Sequence, residues 1–135
     1  MAKFEDLDLS GDILDAIEEM GYQEATPIQS ESIPIILNGD DLMAFAQTGT
    51  GKTAAFLLPI VDILLDFEED NHVRALIIAP TRELASQIDQ QLEGMAYYTP
   101  ISSLAIYGGG DGVDFARKRK LWRREPALLL PHRED

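Results

Sequence analysis

The sequence contains no cysteine and only two histidines, His72 and His132. Disulfides, thiolate metal sites and thiol nucleophiles are excluded together, and two histidines cannot by themselves make a zinc site. Metal chemistry has to use oxygen ligands. No stretch approaches the roughly 18 to 20 uninterrupted apolar residues that span a bilayer, and the opening MAKFEDLDLSGD is acidic where a targeting peptide would be basic. The expectation is a cytoplasmic protein with no membrane contact. Basic residues are also scarce over most of the chain. Residues 1–116 hold 4 Lys/Arg against 21 Asp/Glu, residues 117–135 hold 7 against 3, and the net charge is −13. An acidic body binds polyanions poorly, so any nucleic-acid contact has to be local. The one basic run, Arg117 to Arg124, reads first as a solvated helix face and second as a phosphate-binding patch.

What is present is ordinary globular material: 135 residues, 45% apolar and 26% charged, enough for one modest domain. Two short helices open the chain. Ser10 is placed to cap the first, apolar residues recur at Ile13, Leu14, Ile17 and Met20, and Gly21 supplies a left-handed stop. Thr26 and Pro27 start the second as N-cap and first-turn proline, Asn38-Gly39 closes it, and Pro34 predicts a bend or break. A short apolar run, Leu42 to Ala46, then reads as a strand, followed by a Gly/Thr loop and a helix from Lys52 to Leu65. The alternation repeats with a buried strand at Ala75 to Ala79, a helix at Arg82 to Met95, and a strand at Leu104 to Tyr107. Strands alternating with helices predict an α/β fold with a parallel sheet covered on both faces and ligands at the strands' carboxyl ends.

Between the first strand and its helix lies AQTGTGKT, Ala46 to Thr53. Such a loop turns successive backbone N–H groups toward an anion, and Gly49 and Gly51 let the main chain approach without a Cβ. Lys52 would neutralise terminal phosphates, the Thr53 hydroxyl would hold Mg2+, and Thr48 and Thr50 would contribute amides and shape. The general phosphate-loop pattern has glycine where Ala46 stands.

Five features occur in a recognisable order: Phe4, seventeen residues before GYQEATPIQ (Gly21 to Gln29), then AQTGTGKT, PTRELA (Pro80 to Ala85), and Gly108-Gly109. In that order they resemble DEAD-box RNA helicases, whose phosphate loop commonly begins with alanine. The resemblance implies the amino-terminal part of a RecA-like P-loop NTPase domain, covering residues 1–120, incomplete but with its mostly parallel sheet flanked by helices. It also implies ATP and Mg2+ as cofactors and RNA as partner. A primary amide carries both donor and acceptor, so Gln29 can pair with adenine N6 and N7, a match guanine does not offer. By resemblance, Tyr22 stacks on the base, the Glu24 carbonyl accepts from it, and Phe4 packs nearby.

Pro80, Thr81 and Arg82 fall where a strand ends and a helix begins, a place suited to holding phosphate. By resemblance they contact RNA backbone, although an Arg82-Glu83 pair at a helix start reads equally as structural. Gly108 and Gly109 permit close approach of an RNA strand, or simply form a turn. Contacts of this kind carry little sequence specificity.

The sequence lacks the family's D-E-A-D and S-A-T motifs, whose acidic pair would complete the Mg2+ site and position water, and it lacks the second RecA-like domain. Binding without hydrolysis or unwinding is therefore expected of this chain alone. Residues 121–135, LWRREPALLLPHRED, break the family's pattern. Codons for Pro131 to Glu134, read one nucleotide out of register, can encode T-P-G-R, the family's next motif. The expectation is a tail translated out of frame and standing outside a native core. Two rivals remain at this point: a small P-loop kinase, disfavoured by the position of the loop, and a noncatalytic interaction module. Marginal folding is also expected of a parallel sheet with unpaired apolar edges.

Overall fold

A computed structural model describes residues 1–68, 72–106 and 128–131. The chain divides into two compact units, the first comprising Met1–Phe67 with Gly94–Thr99, the second the remainder.

The first unit is helical. A 3-10 turn, Phe4–Leu7, leads into α1 (Gly11–Glu19), α2 (Pro27–Leu37) and α3 (Lys52–Leu64). Its core is built from Ile13 and Ile17 of α1, Ile33 of α2 and Leu57, Leu58 and Val61 of α3, all essentially without solvent exposure. Removing a single such side chain to alanine costs about 2–5 kcal/mol. Both early helices stop as their glycines require. Gly21 and Gly39 have φ of 87° and 85°. Each passes its N–H to the carbonyl two residues before the cap, and the following residue bonds one further back: Gly21 to Glu18 and Tyr22 to Ile17, Gly39 to Ile36 and Asp40 to Ile35. This double bond pattern satisfies carbonyls that a helix end otherwise leaves open.

Two expectations for these helices change. Pro34 lies inside an uninterrupted α2; it sits on the exposed side, where water can meet the carbonyl its missing N–H leaves free. Ser10 occupies the N-cap position, but its hydroxyl makes no cap bond and is buried without a partner. Its backbone N–H instead donates to Asp62 Oδ1 of α3 at 2.8 Å, so a carboxylate serves the amino end of α1.

The described part of the second unit holds β1 (Ala75–Leu76), α4 (Arg82–Met95), β2 (Ser103–Ile106) and β3 (Leu128–Pro131). The last two residues of α4 belong to the first unit. The strands form a parallel sheet in the order β1-β3-β2. Ala75 lies opposite Leu128 on one side of β3, and Ser103 opposite the same residue on the other. Parallel strands of one sheet need a long crossover, and α4 lies on the connection from β1 to β2, which flank β3. Its buried stripe, Ala85, Ile88 and Leu92, keeps helical spacing, and Asp89 Oδ1 accepts the Ser103 hydroxyl at 2.6 Å.

Helices with a parallel sheet are as expected, with local corrections. Leu42 to Ala46 forms no strand: no segment among the described residues pairs with it, and a strand exists only through its ladder. The strand expected over Ala75 to Ala79 is regular only at β1, and only one face is covered. Ile77 and Ala79 are buried, whereas Leu76 and Ile78 are 57% and 72% exposed. Tyr107, Gly108 and Gly109 lie outside the described residues, as do 121–127 and 132–135 of the tail; the tail was expected to stand outside a native core, but its residues 128–131 form β3, the middle strand of the sheet, because their backbone pairs with β1 on one side and β2 on the other.

Candidate functional site

The phosphate loop closes on the start of α2. Gly49 and Gly51 have φ of 85° and 82°, a left-handed conformation that costs any side-chain-bearing residue about 1–2 kcal/mol. Between them the Thr50 hydroxyl donates to the Gln47 carbonyl at 2.6 Å, folding the loop on itself. Gly51 is the N-cap of α3, so Lys52 and Thr53 are its first two helical residues. The first amides of that helix and the positive end of its dipole, with exposed Lys52 as its first residue, make a setting that favours an anion. Thr53 is half-buried one residue further on, and its hydroxyl is the kind of oxygen donor Mg2+ takes alongside phosphate and water.

Thr26 and Gln29 hold this loop from outside. The Thr26 hydroxyl donates to the Thr50 carbonyl at 2.7 Å, and Gln29 Nε2 donates to the Gly51 carbonyl at 3.2 Å. Gln29 Oε1 in turn accepts the Thr26 backbone N–H at 2.9 Å, the reach from third helical position to N-cap that a capping box uses. Gln29 is only 2% exposed. Two bonds of about 1 kcal/mol each thus fix two successive carbonyls of the loop, and the third holds Gln29 in place to make its own. The packing leaves no slack, since a Cβ on Gly51 would run into the Gln29 amide nitrogen.

The aromatic residues gather separately. Phe4 is 3% exposed and meets Tyr22 edge to face, with ring centroids 5.9 Å apart and planes at 78°. The amino terminus is clipped beside them by an antiparallel bridge between Lys3 and Glu24, and by a 2.8 Å bond from the Ala25 N–H to the Ala2 carbonyl. A cleft of about 300 Å3 opens here, lined by Lys3, Phe4, Tyr22 and Glu24 among others. Gln29 does not line it, and both halves of its amide already have protein partners. Phe4, Tyr22 and Glu24 therefore form one group, while Gln29, Thr50, Gly51, Lys52 and the rest of the loop form another.

Pro80, Thr81 and Arg82 lie in the second unit. Thr81 caps α4, its hydroxyl accepting the Leu84 N–H at 3.2 Å and its carbonyl the Ala85 N–H at 3.1 Å. Pro80 and Thr81 are exposed and Arg82 is half-buried. The bonds from Thr26 and Gln29 to the loop carbonyls were not anticipated from sequence, although T-x-x-Q at a helix start signals half of that network.

A family model described as DEAD/DEAH box helicase matches residues 26–131. The chain belongs to that family. The match runs on through residues 121–131, the segment expected to depart from the family's pattern. Among its DEAD-box relatives, the chain is 43% identical over 130 residues to "ATP-dependent RNA helicase CshA" of Listeria monocytogenes and 48% identical over 130 residues to the CshA of Bacillus cereus. In each case the match covers 96% of this chain and 24% of the relative, so the chain spans about a quarter of their length. Among solved DEAD-box structures it resembles Prp28 of Chaetomium thermophilum bound to ADP, with a TM-score of 0.86 and 34% identity over 98% of this chain and 32% of that one. A DEAD box protein of Methanococcus jannaschii matches with the same TM-score at 32% identity, covering 98% of this chain and 35% of that one. No helix among the described residues is long and apolar enough to cross a membrane.

Proposed function

We propose that this chain binds ATP with Mg2+ as the nucleotide-binding portion of an ATP-dependent RNA helicase. The observation that carries the reading is the pair of bonds from Thr26 and Gln29 to the Thr50 and Gly51 carbonyls, which shapes the loop before any ligand arrives. Lys52 and the amides at the start of α3 take the phosphates, and the Thr53 hydroxyl joins Mg2+, whose role when bound is to neutralise phosphate charge. Tyr22 and the Glu24 carbonyl receive the base at the cleft beside Phe4. Gln29 reads adenine only by exchanging bonds it makes to Thr26 and Gly51, so base recognition and loop shape are linked through one amide. The ADP held by Prp28, at 34% identity, supports a nucleotide as ligand.

Pro80, Thr81 and Arg82, with Gly108 and Gly109, contact RNA backbone without reading sequence. Hydrolysis and duplex opening belong to the whole helicase, because this sequence carries neither the D-E-A-D nor the S-A-T motif. The chain works in the cytoplasm, and residues 121–135 are out-of-frame text. The nucleotide sequence across Lys120 to Asp135 tests this last point: an alternate frame without T-P-G-R removes it. The nucleotide reading is tested by displacement of a fluorescent ADP analogue. ATP is expected to displace it at concentrations at least tenfold below GTP, and equal displacement by both would refute adenine selection.

A further inference from the structure

Asparagine followed by glycine occurs once in this sequence, at Asn38-Gly39; the other asparagine, Asn71, precedes a histidine. The pair carries a reaction of its own. The Gly39 amide nitrogen, on losing its proton to hydroxide, can attack the carbonyl carbon of the Asn38 side chain, and a glycine offers that nitrogen with no Cβ to hinder the approach. A bond from nitrogen to carbon closes a cyclic imide while the side-chain bond from carbon to nitrogen breaks, and ammonia leaves with a proton from water. Water then opens either carbonyl of the imide, giving an aspartyl or an isoaspartyl residue. Nothing is oxidised or reduced.

The carboxyl end of α2 withholds both partners of that reaction. Asn38 is the cap of the helix, with φ −74° and ψ −6°. Closing the ring requires the Gly39 nitrogen to eclipse the Asn38 Cβ, a ψ of about −120° by tetrahedral geometry at Cα, which lies between the allowed wells of an L residue. The observed ψ is far from it. Turning the peptide that far also breaks two hydrogen bonds, from the Gly39 N–H to the Ile36 carbonyl at 3.0 Å and from the Asp40 N–H to the Ile35 carbonyl at 3.3 Å. The nucleophile is thus occupied as a donor. The side chain is held as well, since Asn38 Nδ2 donates to Asp40 Oδ2 at 2.8 Å. We propose that Asn38-Gly39 is a latent deamidation site, kept closed by the end of α2 and modified when that end opens.

Helix ends fray more readily than a core unfolds, so the reaction does not wait for global unfolding. Its product then keeps the end open. A carboxylate in place of the amide loses the donor to Asp40, meets the like charges of Asp40 and Asp41, and sits at the negative end of the α2 dipole. The isoaspartyl form also adds a methylene to the main chain between α2, which carries Thr26 and Gln29, and the phosphate loop.

Incubation of the chain at mildly alkaline pH, in buffer and in urea, followed by peptide mass spectrometry, tests the proposal. Exchange of an amide for a carboxyl changes the mass of the Asn38 peptide, whereas isomerisation at Asp111-Gly112 changes no mass, so the two are told apart. Deamidation at Asn38 is expected to run at least about tenfold slower in buffer than in urea, the factor that about 1.4 kcal/mol of local protection gives. Ile35→Gly weakens the last turn of α2 without touching the reacting pair. It is expected to speed the reaction about twofold or more in buffer and to leave the rate in urea unchanged. Equal rates in buffer and urea, no deamidation at Asn38 in urea, or an Ile35→Gly protein that reacts in buffer no faster than wild type would each overturn the proposal.

Discussion

Replacing Gln29 by glutamate changes one atom and inverts one interaction. In Gln29→Glu, one carboxyl oxygen keeps the bond from the Thr26 N–H, while the other meets the Gly51 carbonyl where the amide nitrogen donated at 3.2 Å. Two acceptors face each other there unless the carboxyl holds a proton. Gln29 is only 2% exposed, so both desolvation and the carbonyl raise the folded-state pKa of the new carboxyl above its unfolded value of about 4.3. A folded pKa above the unfolded one means that stability is retained below the unfolded pKa and lost as pH rises through the folded one. Protonated, the variant mimics wild type to within about 1 kcal/mol. At pH 7 we expect Gln29→Glu to be destabilised by about 3 kcal/mol, recovering by about 1.4 kcal/mol per pH unit as the pH is lowered from about 7 to about 5. Urea unfolding of both proteins at several pH values, read as their difference, is the assay. A penalty that is absent at neutral pH, or that stays the same on acidification, would refute the idea that the amide nitrogen holds the loop carbonyl.

Three further outcomes follow from the same geometry. Gly51→Ala meets both the left-handed backbone and the Gln29 amide, so we expect a stability loss of about 2–3 kcal/mol and weaker nucleotide binding, measured by chemical denaturation and analogue fluorescence. The Tyr98 hydroxyl donates to the Glu19 carboxylate, and this bond chiefly pushes its pKa up to about 12. The tie therefore stabilises the fold below the unfolded pKa near 10 and is lost as pH rises toward 12; Tyr98→Phe should flatten that alkaline loss, and an unchanged alkaline profile would contradict it. Gly94 lies inside α4, where alanine is favoured over glycine by about 1 kcal/mol, and an added Cβ would meet only the outer atoms of the exposed Met20 side chain, which can turn away, so Gly94→Ala should keep or raise the melting temperature; a fall of several degrees in thermal unfolding would contradict this.

Much of this was legible in the residues because local chemistry decided it. Gly21 and Gly39 end helices through backbone freedom that no neighbour alters, and the α4 boundaries follow from Thr81 as cap and an amphipathic stripe. What misled was whatever depends on a partner far along the chain. Leu42 to Ala46 has strand composition, yet a strand needs a second strand, and none among the described residues reaches it. The same holds for Leu76 and Ile78, apolar enough to be buried but with both outward side chains left uncovered. Ser10 was expected to cap through its hydroxyl, and Asp62, fifty-two residues away, serves that helix end instead. The place of Lys52 and Thr53 at the start of α3 was readable from spacing alone. The brace from Thr26 and Gln29 was not, because no pattern within Gly21 to Gln29 reveals which carbonyls lie across from it.

The measurement that bears most directly on the braced phosphate loop is titration calorimetry of ATP into this chain with and without Mg2+, repeated on Lys52→Ala. Magnesium-dependent heat that saturates with wild type and falls at least tenfold in affinity for Lys52→Ala is the predicted result. Binding that is indifferent to both Mg2+ and the lysine, or no binding by a chain shown to be folded, would contradict the account.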